Sequence, residues 1–512
     1  MHRPHGGRRT SVLAVCCLSV LLVSLDTTVL NVALPAVQRD LGSSVSGLQW
    51  TLDAYTIVLA SLLTAAGSTA DRVGRRRVFQ LGLVLFTGAS ALCSLAPTTG
   101  WLVVFRMVQA VGGSMLTPVA MAILTNTFPE PRERARAIGV WGGVVGISMA
   151  AGPVLGGVLV QSVGWRSVFW LNVPIGLAAL VLTALFVPES RAARARRADP
   201  VGQLLVIVLL GALTYAVIEG PGEGWTSPLI AACLVAAAGA LIGLVPYENR
   251  RAEPLIDPRL FRSAPFSGAT LTAVFAFAAL GGFLFANALY LQGELGLSPL
   301  EAGLRLLPMA VLSLVCPPLS GRIVGSRGPR VPLLIAGAGI TASGVLAVLA
   351  TQSTHPSYAL LALTYALFGL GFGFVNAPIT DTAVAGLPRD RAGVAAAVAA
   401  TSRQVGSAIG IAVIGAVVAA GALSAAWWII AGCGLAVFAL SAVTAGRGSP
   451  GGAGRVAADV DSEQSTPASR NGRQIQAPPA GTATEHQVSA SRAGEAQRGV
   501  SEGEVAECPS VR

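Results

Sequence analysis

Fourteen apolar stretches, each near the 20 or so residues that carry a helix across a bilayer, follow one another from residue 11 to residue 444. They are read at 11–35, 48–69, 78–97, 101–126, 137–161, 167–187, 201–219, 227–246, 267–291, 301–320, 331–351, 357–386, 393–419 and 422–444. In lipid every backbone polar group needs an internal partner, which leaves helices or a closed barrel. Barrel strands are shorter and alternate polar with apolar, whereas these runs are uniformly apolar. The expected fold is therefore an all-α membrane protein with fourteen transmembrane helices. Charge makes up 12% of the 512 residues and the mean hydropathy is +0.66. Soluble domains carry roughly 25% charge, so this chain cannot cover a water-facing surface of its own length.

The arginines orient the spans. All 35 basic residues are arginine, a bias that a GC-rich genome would give. Twenty-three of them lie in the N-terminus and the alternate loops that share its side, and only Arg39 and Arg166 lie in the opposite loops. Positive loops stay in the cytoplasm, so both termini are expected there and the net charge of +10 reports topology. Nucleic acid is not an expected partner. The absence of lysine excludes a Walker A phosphate loop.

Other classes fall away on residue type. The histidines (His2, His5, His355, His486) sit in tails and one loop, and no His/Cys/Asp cluster has metal-ligand spacing. No metal and no cofactor is expected. The seven cysteines are scattered, mostly within apolar runs, where they act as small hydrophobes. Arg8-Arg9 before an apolar run has the look of a cleaved twin-arginine signal, but the run continues past Asp26 to Pro35, which favours a retained first helix. Residues 446–512 are rich in Ala, Gly, Ser and Gln and read as a disordered cytoplasmic tail.

The chain also repeats itself. Gly67-Ser-Thr-Ala-Asp71-Arg72-Val-Gly74-Arg75 follows the second span, and Gly321-Arg322 through Gly328-Pro329-Arg330 follows the tenth. Gly112-Gly113, Pro118 and Pro129 in the fourth span are matched by Gly371, Gly373, Pro378 and Pro388 in the twelfth. Repeated halves are a habit of transporters. The expected domains are a six-helix half at 1–190, two linking transmembrane helices at 191–262, a second six-helix half at 263–445, and the tail at 446–512.

At these residues the chain resembles the major facilitator superfamily, specifically its fourteen-helix drug:proton antiporters of the EmrB/QacA type, over roughly residues 11–445. Gly67, Asp71, Arg72, Gly74 and Arg75 match motif A, and Leu25-Asp26-Thr27-Thr28 through Pro35 resembles the first-helix signature. Arg106, Gln109 and Gly112 resemble motif B. Gly152-Pro153 and Gly156-Gly157 resemble motif C, which marks exporters, and Trp165 through Asn172 to Gly176 resembles the start of the sixth helix. Trp50 to Tyr55 and Ile218 to Trp225 resemble antibiotic-resistance exporters of antibiotic producers, such as the methylenomycin resistance protein. The long hydrophilic loop before the last span, present in many relatives, is reduced here to about 420–425.

The resemblance implies proton-coupled efflux of drugs or antibiotics by alternating access, from a monomer in the bacterial cytoplasmic membrane. Its partners would be a small-molecule substrate, protons and membrane lipid. The cavity wall is expected from the first, fourth, seventh and tenth helices of the twelve-helix core. A charge at mid-bilayer costs about 2.5–3.5 kcal/mol on insertion scales, so each one is a candidate. Asp26 could exchange protons or draw a cation, or else be held by Thr27, Thr28 and Asn31 as packing. Asp53 is a second acidic candidate, or a solvated residue at the interface. Arg106 would bias a nearby carboxylate, being unable to release a proton itself, or else snorkel. Asp71 is expected to cap a helix end or pair across the halves, with Arg75 paired elsewhere and Gly67 and Gly74 permitting the turn. Gly152, Pro153, Gly156 and Gly157 suit a hinge or seal. Glu219, Arg305, Asp381 and Arg403 are weaker candidates, Arg403 with an acidic or carbonyl partner.

Three rivals share part of this pattern: an exporter of a self-made metabolite, an uptake symporter, and a sensor that has lost transport. A membrane-embedded enzyme would need a catalytic constellation, and no HExxH or GxSxG is present.

Overall fold

The computed structural model describes residues 5–192, 199–251, 254–353, 356–384 and 389–444; the predicted tail lies outside them. Fourteen helical spans long and apolar enough to cross a membrane are found among the described residues. The first six helices are α1 (His5–Leu41), α2 (Val45–Val73), α3 (Arg75–Ser94), α4 (Thr99–Thr127), α5 (Pro131–Ser162) and α6 (Ser167–Phe186). Two more, α7 (Pro200–Glu223) and α8 (Pro228–Asn249), link them to the rest. The second set begins with α9 (Ala264–Leu289), which runs into a π-helical turn at Tyr290–Glu294. It continues with α10 (Pro299–Arg305), α11 (Leu307–Arg327), α12 (Arg330–Thr351), α13 (Tyr358–Gly373), α14 (Asn376–Val384), α15 (Arg389–Ala419) and α16 (Leu423–Thr444).

Three of the differences from the sequence reading involve a proline. The first helix runs through Pro35 to Leu41 and stops at Gly42, whose φ of 62° is a left-handed cap. The stretch read as one span at 301–320 is broken at Leu306, so the spanning helix starts at Leu307. Pro308 lacks the N–H that would extend the preceding helix and instead sits in the first turn of α11. The twelfth span is likewise interrupted between Gly373 and Asn376, which puts Pro378 in the first turn of α14.

The two sets of helices pack by the same plan. α1 against α5 is matched by α9 against α15, α3 against α4 by α12 against α13, and α3 against α6 by α12 against α16. The close approaches are made by the repeated glycines. A Cβ on Gly112 would meet the backbone of Phe86 and Gly82, and one on Gly371 would meet the backbone of Ala336 and Ile340. Helices that share lipid as solvent gain from such contact because no hydrophobic force drives them together. One apolar cluster fills the first set, around Phe79, Phe86 and Leu116. Another fills the second set, around Phe283, Tyr365 and Trp427.

The halves meet along α2 with α15 and along α5 with α10 and α11. α7 lies on both α2 and α15, while outer faces of α8 such as Val235 and Ile242, more than 70% exposed, are left for lipid. At the start of α10, Ser298 and Glu301 form a capping box. The Ser298 backbone N–H on its carboxylate holds Glu301 below the usual carboxylate range.

Candidate functional site

The first half encloses a charged centre that touches neither lipid nor water. Arg106 Nη1 on α4 lies 2.5 Å from Asp26 Oδ2 on α1, and both residues are 1% exposed. Gln109 Nε2 and Asn172 Nδ2 each donate to Asp26 Oδ1 at 2.8 Å. Arg106 is anchored in turn: Nη1 donates to Gln109 Oε1 at 2.8 Å, Nε donates to the Thr51 carbonyl at 3.2 Å, and the guanidinium stacks 4.1 Å from the Tyr55 ring. Asn172 also donates to Ser90 Oγ, which donates to the Phe169 carbonyl. Five helices, α1, α2, α3, α4 and α6, thus converge on one carboxylate.

Helical spacing explains the convergence. Arg106 and Gln109 are three apart on α4 and share a face. On α1 the threonines and Asn31 turn elsewhere: Thr27 and Thr28 donate to carbonyls of their own helix, and Asn31 donates to Thr27 O. Of the two readings of Asp26, packing by its neighbours is therefore replaced by an ion pair with α4. Arg106 does not snorkel. Gln109 and Asn172 belonged to recognised motifs but carried no assigned role; the signal available was a lone amide inside an apolar helix.

The second half holds a neutral counterpart. The offset that takes Gly112 to Gly371 takes Arg106 to Tyr365, and Tyr365 Oη donates to Asn287 Oδ1 at 2.7 Å.

Asp53 is fully buried, with no hydrogen-bond partner on either oxygen, so the solvated reading does not hold. It shares a face of α2 with Gln49, whose amide donates to Ile411 O and Ala412 O on α15. Asp53 therefore sits in the α2–α15 seam. An unpaired anion there would be costly.

Motif A is corrected in detail. Asp71 pairs with Arg75 itself, Oδ1 to Nη2 at 2.9 Å, and not across the halves. The chain after α6 closes the turn, because Arg75 N donates to Ser190 O and Arg76 N donates to Glu189 Oε1. Arg72 is exposed. Only Gly74 is conformationally special, at φ 128°, and a Cβ there would meet Glu189 Oε1 at 2.6 Å. Gly67 lies within α2, where a Cβ would make ordinary contact with Pro118 at 3.8 Å. Gly67→Ala should therefore leave the melting temperature within a degree or two. Gly74→Ala should lose about 1 kcal/mol or more, read by thermal unfolding in detergent.

The motif C residues share two adjacent faces of α5. A Cβ on Gly152 would strike Thr28 and one on Gly156 would lie 3.0 Å from Val29 O, both on α1. A Cβ on Gly157 would lie 2.7 Å from Leu300 Cα on α10 in the other half. Pro153 lines a cavity whose wall is drawn from both halves and which is partly open to solvent. Its wall comes from α1, α5, α9, α10 and α11 with the π turn. In the twelve-helix core these are the first, fifth, seventh and eighth helices. The expected fourth and tenth do not contribute, because α4 spends its polar face on Asp26 and α13 packs its own on Asn287.

The weaker candidates separate. Glu219 on α7 accepts from Trp50 Nε1 at 2.6 Å. The Arg305 guanidinium lies 4.9 Å from the Tyr358 ring. Asp381 is exposed on α14. Arg403 meets an amide oxygen, Asn376 Oδ1, at 3.4 Å.

A fourteen-span helical bundle of two similar halves around a central cavity defines a membrane transporter of the major facilitator kind. The Major Facilitator Superfamily profile matches residues 16–411, and the chain belongs to that family. The Multidrug resistance protein Stp of Mycobacterium tuberculosis (strain CDC 1551 / Oshkosh) is 39% identical over 414 residues, covering 80% of this chain and 76% of its own. The Methylenomycin A resistance protein of Streptomyces coelicolor is 36% identical over 423 residues, covering 81% and 87%. Among solved structures, the peptide transporter POT in complex with sulfate superposes with a TM-score of 0.66 at 15% identity, covering 87% and 95%. The likeness to POT is one of fold. The chain is a multi-pass protein of the bacterial plasma membrane that handles small molecules.

Proposed function

We propose that the protein exports small organic molecules, drugs or antibiotics, from the cytoplasm in exchange for protons, and is not an enzyme. The observation that carries the reading is the Asp26–Arg106 pair, buried beside a cavity between two similar halves. The names of the relatives, a multidrug and a methylenomycin resistance protein, support the direction of transport. Both termini lie in the cytoplasm by the arginine distribution, residues 1–190 and 263–445 move as two halves, and the monomer is the working unit.

Asp26, Asp53 and Arg106 carry the coupling. A proton entering down the potential supplies roughly 2.3 kcal/mol per 100 mV. Protonation of Asp26 would break its pairing with Arg106, and Arg106, a permanent cation, would then seek other acceptors among Thr51 O and Gln109 Oε1. That rearrangement moves α1 against α4, and α1 also lines the cavity. Proton and substrate are thereby set in competition for one helix. The Asp71–Arg75 turn and the Gly152–Gly157 face act as conformational parts, one holding the cytoplasmic turn and the other letting α5 ride on α1.

The test is substrate-triggered proton movement in energised inside-out vesicles across a panel of lipophilic drugs. The wild type should discharge the pH gradient on addition of a substrate, and Asp26→Asn should not. Loss in Asp53→Asn with retention in Asp26→Asn would transfer the coupling carboxylate to the α2–α15 seam. No discharge with any compound, from correctly folded protein, would sink the antiport reading.

A further inference from the structure

Among the described residues, no ionisable side chain lines the cavity between the halves. Met149 and Met309 and the aliphatic Val32, Leu284 and Leu291 are among the residues of its wall, a surface that adapts to shape. Its polar content is amide and hydroxyl. Two of the amides are incompletely used. Asn31 Nδ2 donates to Thr27 O at 2.8 Å, and Gln292 Nε2 donates to Val32 O at 2.9 Å. A backbone carbonyl can only accept, so each contact fixes which end of the amide is nitrogen. The remaining ends are therefore acceptors, and both Asn31 Oδ1 and Gln292 Oε1 are buried with no partner. Both residues are 8% exposed.

Their positions give the pair its meaning. Asn31 belongs to α1 in the first half, five residues on from Asp26 and so on a different face. Gln292 belongs to the π turn that ends α9 in the second half, and single π turns occur often at functional sites. The other cavity polar groups are occupied: Asn287 holds Tyr365, Ser313 donates to Gly369 O, and Thr28 donates to Ser24 O.

We propose that this cavity takes an uncharged, largely apolar molecule carrying a hydroxyl, phenol or amide N–H, whose donor hydrogen is shared between Asn31 Oδ1 and Gln292 Oε1. The proposal rests on the export reading above and names the substrate class of that site. A charged ligand would be desolvated there against a wall with no counter-charge among the described residues, because Asp26 and Arg106 are spent on each other. A donor on the ligand satisfies acceptors left unmet in the closed bundle, and with one acceptor on each half it would draw the halves together as it binds.

The experiment compares 2-hydroxyanthraquinone with 2-methoxyanthraquinone at a pH low enough to keep the phenol neutral, with tetraphenylphosphonium as the cationic competitor. Binding to the purified full chain in detergent is followed by ligand fluorescence. The hydroxy compound should bind about tenfold or more tightly than its methyl ether, and the cation should not displace it. The gap should narrow severalfold in Asn31→Leu and in Gln292→Leu. Equal wild-type affinity for the two anthraquinones overturns the proposal without recourse to any variant. So does a gap unchanged in both variants, displacement by the cation at similar affinity, or failure of the hydroxy compound to bind. The same preparations are reconstituted for the proton assay with the drug panel. Proton discharge there with other drugs would leave the export reading standing while this substrate class falls, and no discharge at all would remove both.

Discussion

Arg106→Leu should abolish drug extrusion and destabilise the folded protein by about 3–5 kcal/mol, the cost of leaving one member of a buried ion pair without the other. The reason lies in how little else could answer Asp26. Its Oδ2 has Arg106 Nη1 at 2.5 Å, and its Oδ1 has only the neutral amides of Gln109 and Asn172. Asp26→Asn should be milder in stability, since Arg106 keeps the Thr51 carbonyl, Gln109 and the face of Tyr55. Arg106→Lys keeps the charge but presents one nitrogen in place of a fork, so it cannot hold Thr51 O and Asp26 together and should retain only part of the activity. The double variant Asp26→Leu/Arg106→Leu should recover most of the lost stability and none of the transport. Thermal unfolding in detergent and drug extrusion from cells at matched expression would read the two effects separately. An Arg106→Leu protein that melts and transports like the wild type would refute the assignment.

The same centre marks where sequence stops informing. Fourteen spans could be read because lipid demands long apolar runs; the arginine asymmetry oriented them and the repeated glycines and prolines pointed to two halves. Asp26 and Arg106 stood out singly for the cost of a charge at mid-bilayer. Their pairing did not, because it joins positions 80 apart on helices whose mutual rotation is set by packing such as Gly112 on Phe86. Gln109 and Asn172 were missed as ligands of Asp26 for the same reason. The sequence left Asp53 open between an acidic site and a solvated interfacial residue because the second span was begun at residue 48, whereas α2 starts at Val45 and is buried on that face. Hydropathy cannot locate the breaks at Leu306 and after Gly373 either, since the residues there are as apolar as the helices they interrupt. The motif A pairing of Asp71 with Arg75 follows from simple four-residue spacing and could have been anticipated. The cavity wall could not: whether α4 or α5 faces the other half depends on which side of each helix the first half consumes internally.

That last dependence leads to the second large effect. Where α5 meets α10, the halves approach so closely that a side chain cannot be inserted. A Cβ on Gly157 would lie 2.7 Å from both Leu300 Cα and Pro299 O, and one on Gly303 would run into the Pro153 carbonyl. Backbone cannot swing aside as a flexible side chain does, so the strain should be relieved by separating the halves at this end. With the N-terminus in the cytoplasm, as proposed above, this end faces outward, since it lies where α5 finishes near Ser162. Overpacking typically costs about 1–3 kcal/mol, which converts to roughly a 5- to 150-fold shift between inward- and outward-open populations at about 1.4 kcal/mol per tenfold. Gly157→Ala and Gly303→Ala should therefore speed labelling of a Val32→Cys reporter by an impermeant maleimide added outside the cell, by about tenfold or more, and lower extrusion in parallel. Val32 is 3% exposed at the cavity wall, so it reacts slowly until the seam opens. Gly156→Ala is the control, because its Cβ would meet Val29 within the same half and should leave outward labelling unchanged. Labelling no faster in Gly157→Ala than in Gly156→Ala, with transport intact in both, would mean that the α5–α10 contact is not the outer seal. The closing step would then have to be sought along α2 and α15, where Gln49 holds Ile411 and Ala412.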